Sequence, residues 1–271
     1  MPQRFIGIDL AWSRRNTSGI VALECNKNKI NLGAFNDSIG DDSEIIDFVR
    51  GIVPTFSKNT RGHNLSSKIN RNGGCFIAID APLLVPNEKG TRPVDIEITR
   101  RFRAQEAGAL PANRTLLRNP EGDIRGETLT KKLENMGFIH SFKIEKQGYN
   151  LRLFEVFPHP AMVIIFNLPV TLKYKAKKGR SLDSRLQELK RYRMYLSRLQ
   201  YIDPPLSQNV VHTFSLDNTN FIKSQGGLKH YEDLLDALFC AWLAAYFWFW
   251  GNRGYEVMGN MATGYIILPK S

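Results

Sequence analysis

Five acidic side chains stand where acids are rare. FIGID ends on Asp9 and FIAID ends on Asp80, two nearly identical apolar runs that read as strands and each deliver an aspartate. Glu155 lies inside LFEVF, and Asp233 and Asp236 stand three apart in EDLLDAL, on one helical face that Glu232 can also reach. Asp is depleted in strands because its short polar group competes with the backbone and resists burial. One such acid needs only a good hydrogen-bond partner. Several of them planted on core elements need a cation, because a buried carboxylate left unneutralised is costly. A divalent metal is the simplest choice, since Mg²⁺ and Mn²⁺ prefer carboxylate oxygens. Two such ions about 4 Å apart support in-line displacement at a phosphodiester.

The basic residues bear on what would be displaced. From Lys173 to Arg198 there are ten Lys and Arg against Asp183 and Glu188 alone. Lys173, Lys175, Lys177 and Arg180 in LKYKAKKGR are candidates for phosphate contacts, and the interleaved Tyr174, Tyr192 and Tyr195 for base stacking on the same surface. The ordinary alternative is a solvated helix face. In DAPLLVPNEKGTRPVD, Arg92, with Arg100 just beyond it, could fork onto phosphate or neutralise Glu88, Asp95 and Glu97. His159, between two prolines, could orient a phosphate or water, or serve only as a turn residue.

These residues need elements to hold them. RFIGIDLAW, TSGIVALEC and NKINLGAF, separated by turn-prone RRN and NKN, predict an antiparallel meander of three strands. DDSEIIDFVRGIV predicts a helix with acids in its first turn. The segment 57–74, almost without large apolar residues, predicts an exposed basic loop or linker. GGCFIAID and LRLFEVF predict two further strands, the second ended by Pro158, with a short apolar helix, AMVIIFNL, behind it. Between these strands, residues 81–150 read as an insertion rich in Pro, Gly and charge, within which Pro93 could open a helix. SLDSRLQELKRYRMYLSRLQ predicts an amphipathic helix and HYEDLLDALFCAWLAAYFWFW a long buried one; YEVMGN and GYIILP predict short extended pieces. The whole predicts one α/β domain over residues 1–271, helices flanking a mixed sheet of three antiparallel strands followed by parallel ones.

Composition narrows the setting. The 271 residues are 42% hydrophobic, enough for a substantial core, and a formal charge of +11 favours polyanionic partners. Three widely spaced cysteines argue against a disulfide framework or zinc site and suit a reducing cytoplasm. ALFCAWLAAYFWFW is shorter than the roughly 20 apolar residues of a membrane span, so no membrane insertion is expected; in MPQRFIGIDLAW, Asp9 breaks the apolar run too early for a signal-peptide core, so no export is expected.

The acid plan resembles the RNase H-like nuclease superfamily, with FIGIDLAW, FIAIDAP and EDLLDALFCAWLA supplying the acids of a first strand, a fourth strand and a late helix. DLLDAL resembles the final helix of its Holliday-junction resolvases. GIDLAWS, DAPLLVPNEKGTRPVD, EVFPHPA, LKYKAKKGR and EDLLDAL, spread over residues 6–245, more closely resemble the domain of unknown function four-two-nine family, described as predicted nucleases of RNase H-like fold. That resemblance implies an Mg²⁺- or Mn²⁺-dependent nuclease acting on DNA or RNA, with Asp9 bridging two metals, Asp80 and Asp236 each holding one, and Asp233 as an alternative or additional ligand. Glu155 departs from the simplest plan and is left two roles, a fourth ligand or the partner of Arg92 or Arg100. Two other classes compete: an actin-like kinase or ATPase, which shares the strand-end Asp but pairs two such domains and needs a Gly-rich phosphate loop, and a nucleic-acid-binding or scaffolding protein whose acids are structural.

Overall fold

The structure is a computed structural model that describes residues 2–13, 16–27, 29–53, 73–214 and 225–271. The basic loop expected at 57–74 lies outside the described residues, apart from its last two glycines. Strands β1 (Gln3–Asp9), β2 (Ser18–Asn26) and β3 (Lys29–Ile39) form the expected meander. Helix α1 (Asp42–Ile52) follows, its N-terminus capped by the Asp41 carboxylate, which accepts from the Ser43 and Glu44 amides. β4 (Cys75–Asp80) then lies parallel to β1, β6 (Leu151–Glu155) parallel to β4, and the two-residue β5 (Ile139–His140) parallel to β6. The sheet order is β3-β2-β1-β4-β6-β5, a mixed α/β arrangement consistent with an RNase H-like fold.

Alternation along the strands separates two apolar layers. Phe5, Val21, Leu23, Phe76, Ala78 and Phe154 face one side, where the long helix lies. Ile6, Ile8, Ile20, Ile77, Ile79 and Leu153 face the other, against Ile45 and Val49 of α1 and Leu129 and Leu133 of a helix over Arg125–Asn135. That second helix and β5 fall within 81–150, so this stretch is built into the sheet and its covering layer rather than set apart as an insertion. The same stretch holds α2 (Pro93–Arg101), opened by proline as expected, and the Arg125–Asn135 helix is α3.

Beyond β6, α4 (Pro158–Phe166) and α5 (Leu182–Arg198) lead to the long helix α6 (Gln225–Trp250). α6 packs across β1, β2 and β4. It lies within the one stretch of the described residues long and apolar enough to cross a membrane, yet 83% of its apolar window is buried in the protein, as in the core helix of a soluble protein. The two closing pieces pair as a hairpin, β7 (Tyr255–Asn260) with β8 (Gly264–Pro269), and Ile267 bridges to Val156 just past β6.

Candidate active site

Two glycines bring the acids together. A Cβ on Gly7 would overlap the Ala237 carbonyl and the Ala241 backbone of α6, and one on Gly19 would press on the Asp233 carbonyl. Their absence of side chain lets α6 settle directly on β1 and β2. Asp9 lies two residues beyond Gly7 and so shares its face, turned toward α6. Asp80 is the parallel register partner of Asp9 and points the same way. Asp233 and Asp236 lie on α6 opposite them, both about 1% exposed. The strand-end and helix acids predicted from sequence therefore converge.

A lysine occupies the middle of the group. The Lys175 ammonium lies 2.5 Å from Asp236 Oδ2, 3.1 Å from Asp9 Oδ2 and 3.6 Å from Asp233 Oδ1. Burial disfavours its charge, but Asp236, Asp9 and Asp233 more than offset that and raise its pKa well above the ordinary lysine value. Asp236 Oδ1 accepts from the Tyr174 hydroxyl at 2.7 Å, and Asp233 pairs with Lys229 one turn earlier on α6. Asp80 has no hydrogen bond or ion pair among the described residues. Its carboxyl is pushed well above the usual carboxylate range by burial first and then by Asp9 and Asp236. Burial, then Asp9, likewise raises Asp233 to about 7.

Three of the four aspartates thus share the Lys175 ammonium, Asp233 also pairs with half-exposed Lys229, and Asp80 has neither lysine. Among the described residues no three His, Cys, Asp or Glu side chains form a ready-made metal cage, because Lys175 stands between them. The donor chemistry nevertheless suits a hard divalent cation: all the donors are carboxyl oxygens, and a divalent ion would offset the mutual repulsion that raises Asp80 and Asp233. Buried Asp236 Oδ2 also lacks any properly oriented hydrogen bond, its close contact being the lysine. Asp9, Asp80, Asp233 and Asp236 therefore fit such an ion.

Glu155 is not among them. In the register it pairs with Ile79, out of phase with Asp80, and so turns from α6. Its oxygens accept from Arg92 at 2.7 and 3.1 Å and from the Leu83 amide at 2.8 Å. Of its two expected roles, the structure shows the arginine partner, and the ligand role is corrected. Arg92, 1% exposed, is also forked onto Asp95 and donates to the Leu84 carbonyl, which corrects its reading as a phosphate contact. Glu232 pairs with Arg185 at 2.5 Å.

Asp9 and Asp80 line a cavity of about 490 Å³, with Asp233 and Asp236 buried behind them. Lys173, Lys175, Lys177 and Arg180 all line it, as does His159. Lys173 pairs with Glu106 at 2.6 Å and Arg180 donates to the Lys175 carbonyl at 2.9 Å. The His159 ring bonds Thr171 Oγ1 at 3.0 Å and stacks on Tyr174; burial lowers its pKa to about 3, so it is a neutral group in the first turn of α4 rather than a loop residue. Arg100 is exposed on α2 and lies outside the cavity lining. Tyr174 and Tyr192 are fully buried and stacked on each other, which overturns their expected part in a base-stacking surface.

A family model described as "Protein of unknown function (DUF429)" matches residues 7–260. The chain belongs to the DUF429 family. The match spans the four converging aspartates, the segment that carries Lys175, and the DUF429 chain's whole cavity wall except Ile266. Neither a curated protein nor a solved structure matches the chain. Lys175, read as a substrate contact, is found instead as the counter-ion of Asp9, Asp233 and Asp236. The signal was electrostatic: two strands and a helix that supply four clustered acids need a cation from elsewhere in the chain.

Proposed function

We propose that this protein is a metal-dependent nuclease that hydrolyses phosphodiester bonds of nucleic acid in this cavity. The observation that carries this reading is the convergence of Asp9, Asp80, Asp233 and Asp236, with Asp9 and Asp80 opening into the cavity that Lys173, Lys177 and Arg180 also line. Asp9, Asp80 and Asp236 would hold Mg²⁺ or Mn²⁺, with Asp233 completing the set. Bound divalent cations supply an activated water and a counter-charge for the leaving oxygen. The chain's own part is to hold the acids rigidly between strand ends and helix, to draw a phosphate in with the rim cations, and to keep His159 uncharged beside it. The three cysteines form no disulfide, which suits a reducing cytoplasm.

One observation favours a second reading. Lys175 already neutralises part of the cluster, as it would in a nucleic-acid-binding protein whose acids serve structure alone. The test is cleavage of labelled single-stranded, duplex, hybrid and branched nucleic acids with Mg²⁺ or Mn²⁺, native protein against Asp9→Asn. Cleavage that Asp9→Asn abolishes with folding intact supports the nuclease. Absence of cleavage together with no calorimetric metal binding, while nucleic acid still binds, supports the second reading.

A further inference from the structure

The shape of the cavity bears on the kind of substrate. A groove that tracks a single strand runs open at both ends and spans about 4–16 nucleotides. Here the floor is ringed by chain: Trp12 after β1, Pro82 after β4, residues 106–110, the end of β6, and residues 171–180. The cavity volume, about 490 Å³, falls within the roughly 300–1,000 Å³ typical of small-molecule sites.

The lining is chemically mixed. It includes Lys173, Lys177 and Arg180. Glu106 is the carboxylate they surround, and all three hold its pKa below the usual range, the hydrogen bond from Lys173 contributing most. The rim is therefore net cationic, and Lys177 has no partner among the described residues. Ala107, Ala109, Phe157 and Ile266 add apolar lining to the same cavity. At the mouth two large apolar side chains are exposed, Trp12 at 42% and Leu110 at 69%. An indole beside a cationic rim suits stacking of a base whose phosphate the rim holds.

We infer that the cavity takes one terminal nucleotide of a strand, its phosphate on Lys177 and Arg180 and its base against Trp12 and the apolar lining, so that the protein trims strand ends and does not cut internally. This rests on the nuclease reading for its reaction. In that step the oxygen of water bonds to phosphorus as the bond to the neighbouring nucleotide's ester oxygen breaks. One water proton ends on the departing oxygen as a hydroxyl, the other passes to solvent, and a mononucleotide leaves.

Two measurements test it. The first is calorimetric titration of the native protein in Mg²⁺ with a nucleoside monophosphate, which is not itself cleaved. Saturable 1:1 binding is expected, weakened about tenfold or more in Lys177→Gln/Arg180→Gln and again in Trp12→Ala. No binding, or binding unchanged by both variants, would overturn the inference. The second compares linear with covalently closed circular single-stranded DNA of one sequence. Mononucleotides from the linear form with the circle untouched is the expected result. A nicked circle would overturn end-trimming while leaving the nuclease reading in place. If neither DNA is cut although the monophosphate binds as expected, the same pair is repeated as RNA; no cleavage there either sinks the nuclease reading and end-trimming together, whereas the cavity's single-nucleotide ligand stands on the calorimetry.

Discussion

Replacing Lys175 with Met removes the positive charge among the aspartates while keeping much of the side-chain volume. Three carboxylates then lose an ammonium that lies 2.5, 3.1 and 3.6 Å away. Removing one partner of a buried charge pair costs about 3–5 kcal/mol. Lys175 keeps 30% of its side chain exposed toward the cavity, so screening brings the expected loss in metal-free protein to about 2–3 kcal/mol. At about 2–4 °C per kcal/mol for a chain of this size, the melting temperature in EDTA should fall by about 5–10 °C. A divalent ion should then do more for the variant than for the native protein, because it no longer competes with the lysine for Asp9 and Asp236. Ligand at a hundred times its Kd stabilises by about 2.7 kcal/mol, so a tighter site gives a larger shift at equal Mg²⁺. The assay is thermal melting of both proteins across a Mg²⁺ series. Equal Mg²⁺ shifts would show that lysine and metal do not share the acids. An unchanged melting temperature in EDTA would show that Lys175 neutralises nothing of consequence.

Gly7→Ala drives a Cβ into the α6 backbone at Ala237 and Ala241 and should cost about 3 kcal/mol or more, read as a lower denaturant midpoint or loss of soluble protein. Arg92→Met strands Glu155 and Asp95 in the interior and should cost about 3–5 kcal/mol, whereas adding Glu155→Gln should recover part of that in a double-mutant cycle. Asp233 is held up to about 7, so the folded protein binds more protons than the unfolded chain between the ordinary carboxylate range and that value. The stability this confers is complete below about pH 4 and is lost as pH rises through 7; at about 1.4 kcal/mol per pKa unit, Asp233→Asn should flatten that fall in urea midpoints measured without metal.

The strands and the long helix were legible because each carries its own local signal. Short apolar runs, buried almost throughout, mark β1, β4 and β6, and the charge-free run to Trp250 marks α6. The four aspartates were legible because acids at those positions contradict the elements bearing them. Glu155 was not, since only the register shows that it falls in phase with Ile79 and away from α6. Residues 81–150 resisted assignment because long-range ion pairs hold their short elements, among them Arg114 with Glu127 and Arg118 with Glu88. Composition there reads as loop, whereas the pairing partners lie 13 and 30 residues away. Tyr174 and Tyr192 misled for a related reason: an aromatic between basic residues resembles a stacking platform until tertiary packing turns it inward.

The acids that meet in space are far apart in the chain, and synthesis delivers Asp9 first, then Asp80, and Asp233 and Asp236 only with α6. A nascent chain on the ribosome can complete the β1–β2–β3 meander, but it holds no assembled site until the helix that also fills the core has emerged and docked. Folding and the arming of the site are then a single event. A translation fragment ending before residue 233 would carry Lys173, Lys177 and Arg180 without Asp233 and Asp236, two of the acids that Lys175 neutralises.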